Sequence, residues 1–283
     1  MLPLLISATF ICGQTNYPNA TLLVEADALT KADRSHMVVL DVRKQKEYDA
    51  GHIPGAVPAD VSQLSKAFKS RTDEQTSSQL LGNLGIDSNS KVVIYGNDVR
   101  DAARCWFLLK SWGVEDVRLL NGGWKAWQAA GGKVSTEPAP PVQVKGKIKR
   151  QDTRVATKDD VLRMISGTGN QIVDARSTAE FCGEEGAAKK KGAIPGAKHL
   201  EWSEFIDKDS QKFKTASEIV KILKAANIDP AKPTVTYCQS GGRAAVAEFA
   251  LELMGGKNVR NYYHSWAEWG NDDATPVVKP DKK

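Results

Sequence analysis

Residues 91–127 align without a gap onto residues 233–269 at a constant offset of 142, and this internal repeat limits the architecture more than any other feature of the chain. Tyr95 falls on Tyr237, Phe107 on Phe249, Gly113 on Gly255, Val117 on Val259, Trp124 on Trp266 and Trp127 on Trp269. An earlier pair of stretches agrees: VVLDVRKQKEY followed by GHIPGA at 51–56, and QIVDARSTAEF followed by GAIPGA at 192–197. Self-similarity of this length means two copies of one folding unit. The 283 residues then divide into two domains of roughly 120–130 residues each, an ordinary domain size.

Short apolar runs alternate with helical stretches in each copy. In the first they predict strands at Val38–Asp41, Val92–Tyr95 and Val117–Leu120, and in the second at Gln171–Asp174, Thr234–Tyr237 and Val259–Tyr262. Continuous apolar strands separated by helices belong to a parallel sheet covered on both faces. The expected fold class is therefore α/β, as two tandem domains, each a small parallel sheet with helices on both faces. Ligands of such sheets bind beyond the carboxyl ends of the strands.

One strand end carries chemistry. Strand Thr234–Tyr237 runs into the loop Cys238–Arg243 and then a helix with Val246, Phe249, Ala250 and Leu253 on one stripe. A cysteine facing a glycine-rich loop at a helix N-terminus sits among backbone N–H groups that favour an anion, here a nucleophilic thiolate. Gly241, Gly242 and Arg243 have no packing purpose in a core but suit an anion cradle. Phosphatases with a cysteine nucleophile place five residues between it and an arginine, so that the loop wraps a tetrahedral phosphate. Here there are four, Gln239, Ser240, Gly241 and Gly242. The tighter loop suits a smaller anionic terminus, such as one sulfur carried on the cysteine.

CQSGGRA at this junction, DVRxxxEYxxGHIPGA in the first copy and SWAEWG at 265–270 resemble the rhodanese family of sulfurtransferases, and the likeness to its two-domain members covers nearly everything from Thr21 onward. The resemblance implies two rhodanese-like domains, an inactive one over 21–134 and a catalytic one over 153–283, joined by a linker at 135–152 that is rich in Pro and Lys. The first copy shows that division in its own residues: Gly96 stands where Cys238 does, Asp98 where Ser240 does and Asp101 where Arg243 does. It loses the nucleophile, gains two carboxylates where an anion would sit, and is read as a wall of the cleft.

The implied reaction is ping-pong sulfur transfer. Cys238 attacks the sulfane sulfur of thiosulfate or a related small anionic donor, holds it as a persulfide, and yields it to cyanide or a thiol, including that of a thioredoxin-like protein. Backbone N–H groups of Gln239, Ser240, Gly241, Gly242, Arg243 and Ala244 would stabilise the anions, with a hydroxyl from Ser240 and a fixed charge from Arg243. Arg176 is a further candidate for binding the sulfonate. Because Asp41 and Arg43 recur in the inactive copy, however, an Asp174–Arg176 structural pair is the favoured reading. Well-studied thiosulfate and mercaptopyruvate enzymes of the family carry a substrate-binding arginine where this chain has Glu180, and their loops read CRKGVT and CGSGVT. The donor therefore stays open between thiosulfate and 3-mercaptopyruvate, and a persulfide carrier or interaction protein without turnover is an alternative. Tyr263 and His264 stand where the family usually has AspGly; His264 is read as packing.

Composition excludes other classes. With 39 basic and 34 acidic residues the net charge of +5 is too mild for nucleic acid, and no basic aromatic pattern supports it. The cysteines at 12, 105, 182 and 238 form no CxxC pair and no metal spacing, so no metal and no cofactor are expected. Cys105 reads as core, Cys182 as a loop cysteine whose thiol, if exposed, would be a second redox group, and Lys189, Lys190 and Lys191 as a solvated charge run. The apolar start, residues 1–20, resembles a secretory leader of about ten apolar residues, too short to span a membrane. Periplasmic or secreted placement is expected from it, with the cytoplasm as the alternative.

Overall fold

The computed structural model of the chain describes residues 17–71, 73–140 and 143–281. Each half forms a parallel sheet. In the first, β1 (Leu23–Val24), β2 (Met37–Asp41), β3 (Val57–Pro58), β4 (Lys91–Tyr95) and β5 (Asp116–Leu120) lie in the order β1-β5-β4-β2-β3. In the second, β6 (Gln171–Asp174), β7 (Lys198–His199), β8 (Thr234–Tyr237) and β9 (Val259–Asn261) lie in the order β7-β6-β8-β9. All these pairings are parallel. The edge place that β1 holds is reduced in the second sheet to one bridge, Val155 to Asn261. The six strands expected from apolar runs are present within a residue or so. The two-residue β1, β3 and β7 are too short to leave a periodic signal.

The repeat extends to single hydrogen bonds. Gly96 O accepts from Trp124 N–H at 3.0 Å, and 142 residues later Cys238 O accepts from Trp266 N–H at 3.0 Å. The Tyr95 hydroxyl donates to Asp41, and the Tyr237 hydroxyl to Asp174. Trp127 and Trp269 each close the last helix of their half by donating to a carbonyl, that of Lys133 and that of Pro276.

Helices Val99–Ser111 and Gly242–Leu253 occupy equivalent places in the two copies and pack on each other, with Trp106 edge-on to Phe249 at 5.0 Å. A helix that is apolar nearly all round must be buried on more than one side. Each of these lies on its own sheet and on its counterpart, so one core runs from Leu40 and Ile94 through to Val173, Ala245 and Leu251. The expected linker runs back along the first half: Ser135 bridges to His52, Val144 N–H donates to Gly82 O at 3.2 Å, and Gln151 N–H donates to Ser111 O at 2.7 Å.

Residues 1–16 of the expected leader, and Cys12 with them, lie outside the described residues. Tyr17, however, is part of the folded body: it is buried, and its hydroxyl donates to Lys214 O at 2.6 Å in the second half. No helix among the described residues is long and apolar enough to cross a membrane. Cys105 is core, and burial pushes its thiol up to about 12. Cys182 is also buried and caps the helix Thr178–Phe181, which removes the reading of an exposed second thiol. Lys189 and Lys191 are exposed, while Lys190 donates to the carbonyl and hydroxyl of Thr275 at 2.5 and 2.8 Å and so anchors its loop.

Candidate active site

Cys238 follows β8 directly, at the carboxyl end of one of the two inner strands of its sheet. All of Thr234–Tyr237 is buried, which a strand containing two threonines tolerates only if their hydroxyls are satisfied. Thr236 Oγ1 donates to Ala244 O at 3.0 Å and so ties the strand to the first turn of the following helix. The intervening residues have to form a tight loop.

That loop is held from several sides. Gly241 N–H donates to Cys238 Sγ at 3.1 Å. Cys238 N–H donates to Ser265 Oγ at 3.1 Å, and the Ser265 hydroxyl donates to Tyr262 O at 2.6 Å. Asn261 Nδ2 donates to Gly241 O at 3.2 Å, and Ala267 N–H to Gln239 O at 3.0 Å. Gly241 has φ +90, and a Cβ there would lie 2.2 Å from the Tyr263 ring, so only glycine fits. The amides of Gln239, Ser240, Gly242, Arg243 and Ala244 have no acceptor among the described residues; the last three form the first turn of helix Gly242–Leu253. The result is a buried thiol, 1% exposed, with one amide on its sulfur and further donors beside it. Such a site favours negative charge on sulfur.

Sequence reasoning missed Ser265. By the repeat it stands where Gly123 does, and the two have φ +54 and +55. A serine in this region is strained. It replaces the glycine because its hydroxyl takes up the Cys238 amide, and the departure from the repeat was legible in the alignment. Tyr263 was noticed without a role. Its ring lies between the Cys238 loop and the first half, 5.2 Å from Phe68 and 5.1 Å from Phe107, with its hydroxyl 2.7 Å from Ser65 Oγ.

The two arginines near the loop have different partners. Arg176 is fully buried, bound to Asp174 through Nε at 2.9 Å and Nη2 at 2.5 Å and to Gly192 O at 2.7 Å, and it stacks on Trp266 at 4.2 Å. Arg43 repeats this arrangement with Asp41, Gly51 and Trp124 in the half without the cysteine. Arg176 is therefore the structural partner of Asp174, the reading favoured from the repeat, and being fully buried it does not line the cleft as the candidate sulfonate ligand would have to. Arg243 is near enough to Cys238 for their charges to interact, but its two terminal nitrogens are held by Glu180. His264 is exposed at the start of the helix Ser265–Trp269, not packed between the tryptophans as expected. In the first half, Asp98 is not a loose carboxylate: it caps the helix Val99–Ser111 by accepting from Arg100 N–H at 2.8 Å and pairs with the Arg100 side chain.

A rhodanese-like domain is recognised twice in the chain, over residues 24–130 and 157–272. The chain is 36% identical over 252 residues to a thiosulfate sulfurtransferase of Corynebacterium glutamicum, covering 81% of this chain and 80% of that protein. It is 35% identical over 251 residues to the sulfur carrier protein TtuD of Thermus thermophilus, covering 82% and 87%. Among solved structures it is similar to a persulfide form of EanB with ergothioneine, at 27% identity and a TM-score of 0.85, covering 94% of this chain and 72% of that one.

Proposed function

Because this chain belongs to the rhodanese family and is a sulfurtransferase, we propose that it draws a sulfane sulfur from thiosulfate, carries it as a persulfide on Cys238 and delivers it to cyanide or a thiol. The observation that carries this reading is the Gly241 amide on Cys238 Sγ inside a loop with several amides left over. The thiolate attacks the outer sulfur of thiosulfate; the S–S bond of the donor breaks, sulfite leaves with the electron pair, and a cysteine persulfide anion remains. Cyanide then attacks the outer sulfur, leaving as thiocyanate and restoring the thiolate. Negative charge stays on sulfur throughout, so fixed amide dipoles in a dry pocket serve both half-reactions without rearranging.

The role of Gln239, Ser240, Gly241, Gly242, Arg243 and Ala244 is to hold that charge. A thioredoxin-like or other protein thiol as acceptor is a second reading, favoured by the similarity to a relative named as a sulfur carrier. Mass spectrometry after incubation with thiosulfate tests both. The protein should gain one sulfur and lose it to cyanide with thiocyanate released, whereas Cys238→Ser should gain none and Cys105→Ser and Cys182→Ser should behave as wild type. A sulfur retained by the Cys238 variant would sink the mechanism, and loading without discharge to cyanide would leave the carrier reading.

A further inference from the structure

Among the described residues of the second half, Arg243 is held on Glu180 and Arg176 is fully buried on Asp174, its Nη1 left without a hydrogen bond but closed off from the cleft. The first half supplies unpaired cations instead. A cleft of about 530 Å³ is lined by Ser62, Ser65, Lys66, Lys69, Ser70 and Arg104, from helix Val61–Lys69 with the residue that follows it and from helix Val99–Ser111. It borders the Cys238 loop. A Cβ on Gly242 would come within 2.3 Å of Arg104 Nη2, so the guanidinium lies directly against the loop backbone. Lys69 Nζ stands 5.3 Å from the centre of the Tyr263 ring, which also packs against Gly241 of the Cys238 loop.

Among the described residues Lys66, Lys69 and Arg104 form no ion pair. Arg104 Nε is buried with no hydrogen-bond partner, although a buried guanidinium donor normally has one. The nearest carboxylate along its helix, Asp101, interacts with its charge without pairing. Burial and the like charge of Arg104 lower the pKa of Lys69, while Cys238 acts in the opposite direction. Two cations held close together and unpaired, beside a nucleophilic sulfur, form a receptor for an anion. By the repeat, Arg104 stands where the second half has Val246, so a packing position has been given up to place it there.

We propose that Lys69 and Arg104 bind the oxyanion end of the sulfur donor, so that the half lacking the cysteine provides anion recognition for the half that has it. The inference rests on the sulfurtransferase reading above. The two cations hold the sulfonate of thiosulfate with its sulfane sulfur toward Cys238, and they stabilise sulfite as it leaves.

The test is thiosulfate affinity measured by calorimetry in a Cys238→Ser background, where no sulfur is transferred, with Lys69→Met, Arg104→Gln and the double variant. Lys69→Met keeps the aliphatic stem over Tyr263 and carries the test alone if Arg104→Gln does not fold. Each single change should weaken binding about tenfold and the double change more, with Arg104→Lys recovering part of the loss. In the Cys238 enzyme the same changes should raise KM for thiosulfate much more than they slow discharge of the persulfide to dithiothreitol, a step in which no oxyanion takes part. Unchanged thiosulfate affinity in a folded Lys69→Met or double variant would overturn the proposal while leaving sulfur transfer intact. Tight thiosulfate binding by a wild-type protein that never becomes persulfidated would instead overturn the sulfurtransferase reading and leave the subsite standing.

Discussion

Arg243 grips Glu180 with both terminal nitrogens, Nη1 to Oε2 at 2.5 Å and Nη2 to Oε1 at 2.9 Å, and so clamps the helix after Cys238 to the short helix Thr178–Phe181 that follows β6. Glu180 is the last member of a capping box with Ser177, which fixes its direction before Arg243 arrives. Burial works against the charge of Glu180, yet the bonds from Arg243 and Ser177 hold its carboxyl below the usual range. Where the resemblance led to the expectation of a substrate-binding arginine, this chain has an acid that neutralises the loop's own arginine.

Glu180→Gln should remove that neutralisation. Stability should fall by about 1.5–3 kcal/mol, the range for a hydrogen bond to a charged group. The KM for thiosulfate should fall as well, because Arg243 then presents an unbalanced positive charge beside Cys238. A depressed carboxyl pKa contributes stability that is present above the ordinary value and lost as pH falls through the folded one. The variant should therefore lose less stability than wild type on acidification below about pH 4, the ordinary range of a glutamate. Melting curves and steady-state kinetics check these points, and a raised KM would count against the account.

Ser265→Ala keeps the unfavourable φ of +54 and removes the acceptor of the Cys238 amide. A buried amide left unpaired costs about 1–3 kcal/mol, and the loop loses the bond that sets the direction of the cysteine. Ser265→Gly relieves the backbone strain, worth about 1 kcal/mol or more, but leaves the same amide unpaired. The glycine variant should thus be the more stable of the two while both load sulfur poorly. Differential scanning calorimetry paired with persulfide mass analysis tests the order.

Arg154 serves two buried carboxylates, donating to Glu248 at 3.0 Å and also to Glu252. One cation cannot compensate both. Burial, with Glu252 adding to it and Arg154 opposing, pushes the carboxyl of Glu248 from 4.5 up to about 8. Between those values the folded protein holds a proton that the unfolded chain has released, so stability falls as pH rises through that window. Glu248→Gln should flatten the dependence, leaving Tm near pH 5 little changed and raising stability at pH 8 by an amount on the order of a few kcal/mol. Arg154 keeps Glu252 as its partner in the variant. A variant as pH-sensitive as wild type would show that Glu248 is not the titrating group.

The repeat, the six longer strands, the Cys238 loop and the loss of the nucleophile at Gly96 were all legible in the chain, because each depends on residues close together in sequence. Apolar runs, a glycine pair after a cysteine and a fixed offset are local signals. The identity of the site's cations was not. Arg176, Arg243 and Arg104 look alike along the chain, and only the folded arrangement separates them, giving Arg176 to Asp174, Arg243 to Glu180 and leaving Arg104 against Gly242 with no ion pair among the described residues. That outcome follows from the packing of helix Val99–Ser111 on helix Gly242–Leu253, which brings the first copy over the active-site loop of the second. Charge acts through space and is cancelled by whichever opposite charge lies nearest, so the free cation is decided by tertiary distance, while the nucleophile was decided by sequence.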